Sequence, residues 1–364
     1  MTRETLELLR ACALQAPADE LAQRFRAVSL EDLLPAARAH GMLSGLAVAL
    51  RDVPDVPEQL RDELEGWYHR GLAGHMRAVG DTMAACTALD AAGVPTIVAK
   101  GPVLAEVIYP RPDLRAYNDV DLFVPGRRFP DAVAALERTG CVLLDRNWRL
   151  IRREMRGQLH ASAPHGTPLD VHWHLLNHRA SREAVAIPMA DLFDRRRMVS
   201  IGGPVVWTFE GTDTLLTLCI HAAVGGGARL SWLVDIDRAV RTMAPDWDEF
   251  TARARAWRCA ALVGVVLRRA HRLLGTPVPA DVLEAPRGSR AWALALTAFE
   301  RVWPPELAPE RLSVTRVLTN ATRDQTLPSV LALAAKASPG EKGSVLDAAG
   351  DEGDRVAYLA AVAA

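Results

Sequence analysis

Lysine is almost absent from this chain. Of its 43 basic residues only Lys100, Lys336 and Lys342 are lysines, and the rest are arginine. The bias reflects coding composition more than chemistry, yet it makes a lysine in an ordered segment stand out. Cysteine is also sparse. Cys12, Cys86, Cys141, Cys219 and Cys259 are scattered, odd in number, and form no C-x-x-C pair. That excludes a disulfide framework and a zinc knuckle, and makes the cytoplasm the expected compartment. Long apolar runs are missing: the longest spans about nine residues, as at 259–267 and 356–364, against the ~20 needed to cross a bilayer. The first residues, MTRETLELLRACALQ, carry charges within their apolar stretch and no small-residue cleavage site, so no signal peptide is expected. A large charge of either sign is lacking too. The 43 basic and 44 acidic residues leave a net charge of −1, which gives no global pull toward a long nucleic acid or a membrane.

What is present is an ordinary globular composition, with 49% apolar and 24% charged residues over 364 positions. That is about two domains' worth of chain. No repeat of about 20–50 residues stands out. Four regions are expected: a helical region over 1–94, an α/β core over 95–210, a second helical region over 211–337, and a loosely anchored, Gly- and Ala-rich tail over 338–364. In the first, Ser29 with Asp32 has the form of a capping box. A long helix should run from near Pro57 to Ala92. In the core, short β-rich stretches occur at 96–99, 120–124 and 141–144, and a helix over 130–139 ends at Gly140. Residues 157–163 and 168–175 read as a hairpin, and 204–209 as a further strand. The fold class is therefore α+β, a short mixed sheet between two helical blocks.

The polar residues of the core are not scattered. In Asn118-Asp119-Val-Asp121-Leu-Phe-Val124, strand alternation puts Asp119 and Asp121 on one face. Adjacent carboxylates repel and raise each other's pKa unless a cation lies between them, so the pair suits Mg²⁺, which takes oxygen ligands and leaves sites for phosphates. A solvated strand end would look the same. Lys100-Gly101-Pro102 ends one strand and opens a helix, a turn where backbone N–H groups and a lysine charge could meet a phosphate. An ordinary turn with an exposed lysine is the plain alternative. In Pro168-Leu-Asp170-Val-His172-Trp-His174 the same alternation puts Asp170, His172 and His174 on one face. They could complete a metal cluster, supply a base, hold zinc, or simply hydrogen-bond along a polar sheet face. Arg115, Arg146, Arg149, Arg152, Arg153 and Arg156 crowd nearby. They could grip a triphosphate or an anionic acceptor, or form a solvated face.

Taken in order, Lys100-Gly101, Tyr109-Pro110, Arg115, Asp119-Val-Asp121 and Leu169-Asp170-Val-His172-Trp-His174 resemble the uncharacterised bacterial nucleotidyltransferase family of the DNA polymerase β-like superfamily. Ala36-Arg-Ala-His40-Gly, Leu218-Cys-Ile-His221 and Leu230-Ser-Trp232-Leu-Val-Asp235 extend the likeness over roughly residues 30–240. The resemblance implies transfer of a nucleoside monophosphate, or a related phosphate-linked group, from an NTP to a hydroxyl or phosphate acceptor with release of pyrophosphate, assisted by two Mg²⁺ ions. By position it assigns Asp119 and Asp121 as the metal-binding pair and Asp170 as the third catalytic carboxylate. Lys100, Gly101 and Arg115 would bind nucleotide phosphates, and His172, His174 and Arg152 would either lie around the acceptor or stand behind the metal-binding acids. Pro102 departs from the superfamily, standing where a serine hydroxyl would contact phosphate. The acceptor could be a small molecule, a peptide, a protein or a tRNA. Two other readings stay open: a non-catalytic descendant that binds a nucleotide or partner, and a metal-dependent hydrolase using Asp170, His172 and His174.

Overall fold

The computed structural model describes residues 1–284, 290–307, 319, 345–346 and 350–364. Helices α1 (Arg3–Ala13), α2 (Ala18–Phe25), α3 (Leu30–His40), α4 (Leu43–Leu50) and α5 (Glu58–Ala91) open the chain. The core follows as β1 (Ile97–Ala99), α6 (Gly101–Val107), β2 (Val120–Phe123), α7 (Phe129–Arg138), β3 (Val142–Leu143), α8 (Trp148–Glu154), β4 (Gln158–Ser162) and β5 (Pro168–His172). Next come α9 (Arg179–Ala184), α10 (Met189–Asp194), β6 (Arg197–Ser200) and β7 (Val205–Thr208). Helices α11 (Gly211–Val224), α12 (Leu230–Met243), α13 (Trp247–Ala256), α14 (Ala260–Leu274), α15 (Ala280–Glu284), α16 (Arg290–Val302) and α17 (Glu352–Ala363) complete the described α-helices. The fold is α+β, as expected. None of the described helices is long and apolar enough to cross a membrane.

The chain forms two compact units that cut across the sequence blocks. One comprises Met1–Ala73, Ile108–Tyr117 and Gly211–Val330; the other comprises Gly74–Val107, Asn118–Glu210 and Leu331–Ala364. The boundary between Ala73 and Gly74 falls within α5.

In the helical unit, α11, α12 and α14 pack mutually through Leu216, Cys219, Leu233, Ile236, Leu262 and Val266, all sealed from solvent. Ser29 does sit at the N-cap of α3, but its side chain makes no capping bond. The Asp32 amide is instead taken by the Ser29 carbonyl at 3.2 Å. The box therefore marks the helix start without forming.

In the other unit, five strands run in the order β1-β2-β5-β4-β3, with β2 and β5 parallel and the remaining pairs antiparallel. Alternation gives the sheet an apolar face of Val98, Val120, Leu122, Leu159, Leu169 and Val171, each fully buried. The other face carries the polar residues. Gly140 ends α7 in the left-handed region (φ 87°), with the Cys141 amide reaching back to the Leu136 carbonyl at 3.1 Å. Strand β7 falls where a strand is expected, and it pairs with β6, which is not expected from the sequence.

Two expectations need correcting. Strand β5 ends at His172 rather than running to residue 175, because the Trp173 and His174 amides both turn to the Gly157 carbonyl, at 3.0 and 3.2 Å. The C-terminal segment is no loose tail where it is described. Helix α17 packs on α7 and α8, burying Tyr358 completely, whose hydroxyl donates to the Arg156 carbonyl at 2.6 Å. Residues 338–344 and 347–349 of that expectation lie outside the described residues.

Candidate active site

The site is built by strand register. In parallel strands β2 and β5, Asp121 stands directly beside Asp170, and Phe123 beside His172. In antiparallel strands β4 and β5, His160 stands beside Asp170 and Gln158 beside His172. One face therefore carries a row of Asp121, Asp170 and His160, and a second row of Phe123, His172 and Gln158. The ring of Phe123 stacks on His172 with centroids 4.5 Å apart and 12° between planes, which fixes the imidazole. His172 Nε2 lies 3.0 Å from Asp121 Oδ1, so that nitrogen carries the proton and donates to the carboxylate. Its Nδ1 is buried without a hydrogen-bond partner.

Lys100 meets the same carboxylate oxygen from the end of β1, with its Nζ 3.0 Å from Asp121 Oδ1. Lys100 and Gly101 both adopt left-handed backbone conformations, at φ 49° and 45°. For lysine that conformation costs about 1–2 kcal/mol, and strain of this kind concentrates at functional sites. Gly101 is required by space as well. A Cβ there would lie 3.0 Å from the Asp119 carbonyl oxygen and 3.5 Å from Val120 Cα, so the absent side chain lets the turn close onto the start of β2. Asp119 itself is exposed, immediately before that strand.

Asp170 has its pKa raised. Burial is the main cause, and the negative charges of Asp121 and Asp119 add to it against the pull of His172 and His160. Two carboxylates and an imidazole, Asp121, Asp170 and His172, offer donor atoms that all lie within 4.8 Å of one another. Like charges in register, with one of them held partly against ionisation, are what a divalent cation relieves, and the oxygen-rich donor set fits Mg²⁺.

The sequence-predicted residues thus divide. Lys100, Gly101, Asp121, Asp170 and His172 come together, with Asp119 at the mouth of β2. His174 lies past the strand end, where its Nδ1 accepts the Leu176 amide at 3.0 Å. Burial, then the neighbouring Arg182 and His172 side chains, push its pKa down to about 3, so it is neutral. Arg152 pairs with Asp354 of α17 at 2.9 Å. Arg115 belongs to the helical unit, where Nε and Nη2 each lie 2.9 Å from a different oxygen of Asp235. Tyr109 donates to the same carboxylate at 2.7 Å.

Sequence reasoning misses Gln158, His160 and Asp145. Gln158 Nε2 lies 3.0 Å from Asp170 Oδ2 and 3.0 Å from His160 Nε2. His160 gives its backbone amide to Asp145 Oδ2 at 2.9 Å, and its Nδ1 lies 2.9 Å from Asp145 Oδ1. A signal for the first two exists. The hairpin turn at 163–167 sets Ser162 opposite Pro168, which places His160 opposite Asp170 and Gln158 opposite His172. Asp145 lies outside the hairpin and has no such marker.

A mixed sheet that sets acids side by side on parallel strands, with a lysine turn closing over one of them, brings together groups that could hold a metal ion. Comparison narrows this class. The family model described as "Uncharacterised nucleotidyltransferase" matches residues 26–275, and the protein belongs to that family. No curated protein matches this chain. One solved structure, the solution structure of the antibiotic-resistance factor ANT(2'')-Ia, is similar at 14% identity over 54% of this chain and 98% of that one, with a TM-score of 0.36. A likeness of that degree carries no argument about this chain.

Proposed function

We propose that this protein is a Mg²⁺-dependent enzyme that moves a nucleoside monophosphate from an NTP to a hydroxyl or phosphate acceptor, releasing pyrophosphate. The observation that carries the reading is the register of β2 and β5, which sets Asp121 directly beside Asp170. Asp119, Asp121 and Asp170 would hold the metal. When bound, Mg²⁺ supplies charge neutralisation for the triphosphate and lowers the pKa of an acceptor hydroxyl. Phosphoryl transfer needs little covalent chemistry from the protein, so positioning and charge do most of the catalysis. Lys100 supplies a positive charge to phosphate oxygens, and Gly101 lets the backbone come close. His172 orients Asp121 through Nε2. Asp170 accepts the proton of the acceptor at a carboxylate oxygen, a role favoured by its raised pKa. Arg115 and Arg152 are left out of this scheme, since their guanidinium groups are engaged by Asp235 and Asp354.

A second reading has an observation of its own. Lys100 Nζ already provides a cation 3.0 Å from Asp121, as in a site that binds nucleotide without turning it over. The hydrolase alternative loses support, because His174 bonds the Leu176 amide and lies outside the converging group. Thermal-shift titration of the wild type and of Asp119→Asn/Asp121→Asn against the four NTPs, with and without Mg²⁺, tests the proposal. A ligand at ~100 times its Kd adds about 2.7 kcal/mol of stability. Mg²⁺-dependent stabilisation by an NTP, lost in the double variant, supports transfer. Stabilisation that ignores Mg²⁺ and survives the substitutions supports the binding-only reading.

A further inference from the structure

Asp170 stands in register beside Asp121, a like charge that repels it. Its Oδ2 is met by the Gln158 side-chain nitrogen at 3.0 Å, and the same nitrogen is 3.0 Å from His160 Nε2. A carboxylate accepts only, so the amide must present its NH₂ side here. Its two hydrogens then serve Asp170 and His160 together. In the neutral imidazole His160 Nε2 accepts, which leaves the proton on Nδ1, and Nδ1 lies 2.9 Å from Asp145 Oδ1. The other Asp145 oxygen takes the His160 backbone amide at 2.9 Å. Asp145 is buried, with 3% exposure, and sits between β3 and α8. Every donor in this chain of groups finds one acceptor, and all the bonds point consistently. His160 Nε2 is itself 3.8 Å from Asp170 Oδ1, too far for a hydrogen bond, so the amide is what couples the two.

We infer that Gln158 is a positioning residue that holds the Asp170 carboxylate for the divalent cation, and that His160 and Asp145 anchor the Gln158 amide. The inference rests on the nucleotidyltransferase reading above. It assigns work to three residues outside the acids that would touch the ion. Outer partners of this kind set the orientation of a ligating carboxylate, and their loss typically weakens metal binding or activity about 10–100-fold.

Mn²⁺ binding to the full chain, followed by electron paramagnetic resonance, is the direct test because it needs no turnover. Gln158→Leu should weaken Mn²⁺ binding about 10–100-fold with little change in melting temperature. Gln158→Glu keeps the shape but replaces the donor by an acceptor beside Asp170, and should weaken it too. Asp145→Asn should weaken binding in the same direction by less. In turnover, Gln158→Leu should need correspondingly more Mg²⁺ for half-maximal rate. Wild-type Mn²⁺ affinity in Gln158→Leu, or in Gln158→Glu, overturns the positioning role, and unchanged affinity in Asp145→Asn overturns the anchoring. Failure of the underlying reading looks different: the wild type itself then binds no Mn²⁺, or Asp121→Asn binds it as well as the wild type does.

Discussion

Each unit of this protein buries a carboxylate against a cation, and the two pairs are built differently. In the helical unit, Arg115 meets both oxygens of Asp235 at 2.9 Å, and Tyr109 adds a third bond at 2.7 Å. Burial opposes the charge on Arg115, but Asp235 more than offsets it and the pKa is raised. Burial, then Asp235, likewise pushes the Tyr109 phenol up. Such a network is satisfied from within the protein and holds Ile108–Tyr117 against α12. In the sheet unit, Lys100 and His172 both address a single oxygen of Asp121, and the neighbour across the strand is another acid. Lysine there is a point charge on a flexible stem, whereas Arg115 is a rigid fork. The difference separates a carboxylate that joins parts of the protein from one set beside a second acid.

Breaking each pair should therefore have opposite consequences. Asp121→Asn should remove essentially all turnover, about 10³-fold or more by analogy with loss of a single charge-stabilising group, and leave the unfolding transition nearly in place. A nucleotidyl-transfer assay with labelled NTP checks this, and wild-type rates would remove Asp121 from the mechanism. Arg115→Ala should do the reverse. Stranding buried Asp235 costs about 3–5 kcal/mol, visible as an earlier urea transition, while Mn²⁺ affinity stays close to that of the wild type.

Smaller perturbations sharpen the contrast. Gly101→Ala forces a Cβ to 3.0 Å from the Asp119 carbonyl at φ 45°, for a cost of about 1–2 kcal/mol. It should lower the melting temperature and, by displacing the start of β2, lower turnover as well. A mild, pH-dependent effect is expected at Asp81 of α5. Burial disfavours its ionised form, but hydrogen bonds from Thr167 and His165 outweigh that and depress its pKa. A depressed carboxylate stabilises the fold above its unfolded pKa of about 3.9, and that contribution is lost as pH falls through the lower folded value. Asp81→Asn should thus flatten the acid limb of the stability profile below about pH 4, loosening the β4–β5 turn that positions Gln158 and His160. An unchanged acid limb would show that Asp81 has no such role.

Much of the sheet is legible because it is written locally. Alternation of polar and apolar residues over 119–123 and 168–172 announces a strand with acids on one face, and the register of β2 and β5 sets Asp121 beside Asp170 on one face. Gly140 marks the end of α7 for an equally local reason, its left-handed φ of 87°. His174 illustrates the limit. Alternation continues through it in the sequence, but the strand stops when the Trp173 and His174 amides turn to Gly157, a residue outside the pattern. Helix α17 illustrates another. Its Ala-rich composition suggests a loose end, yet Tyr358 finds a buried seat and a carbonyl acceptor on Arg156.

Residue chemistry and periodicity along the chain were enough to specify the α+β class, the acidic strands and the unusual lysine turn, because each depends on neighbours a few positions apart. Folding in three dimensions alone chose the partners: Asp121 beside Asp170 rather than facing solvent, Arg115 on Asp235, and Gln158 bridging Asp170 to His160. A charged or amide side chain can satisfy its bonding in many ways, and burial keeps the arrangement in which donors and acceptors remote in sequence meet.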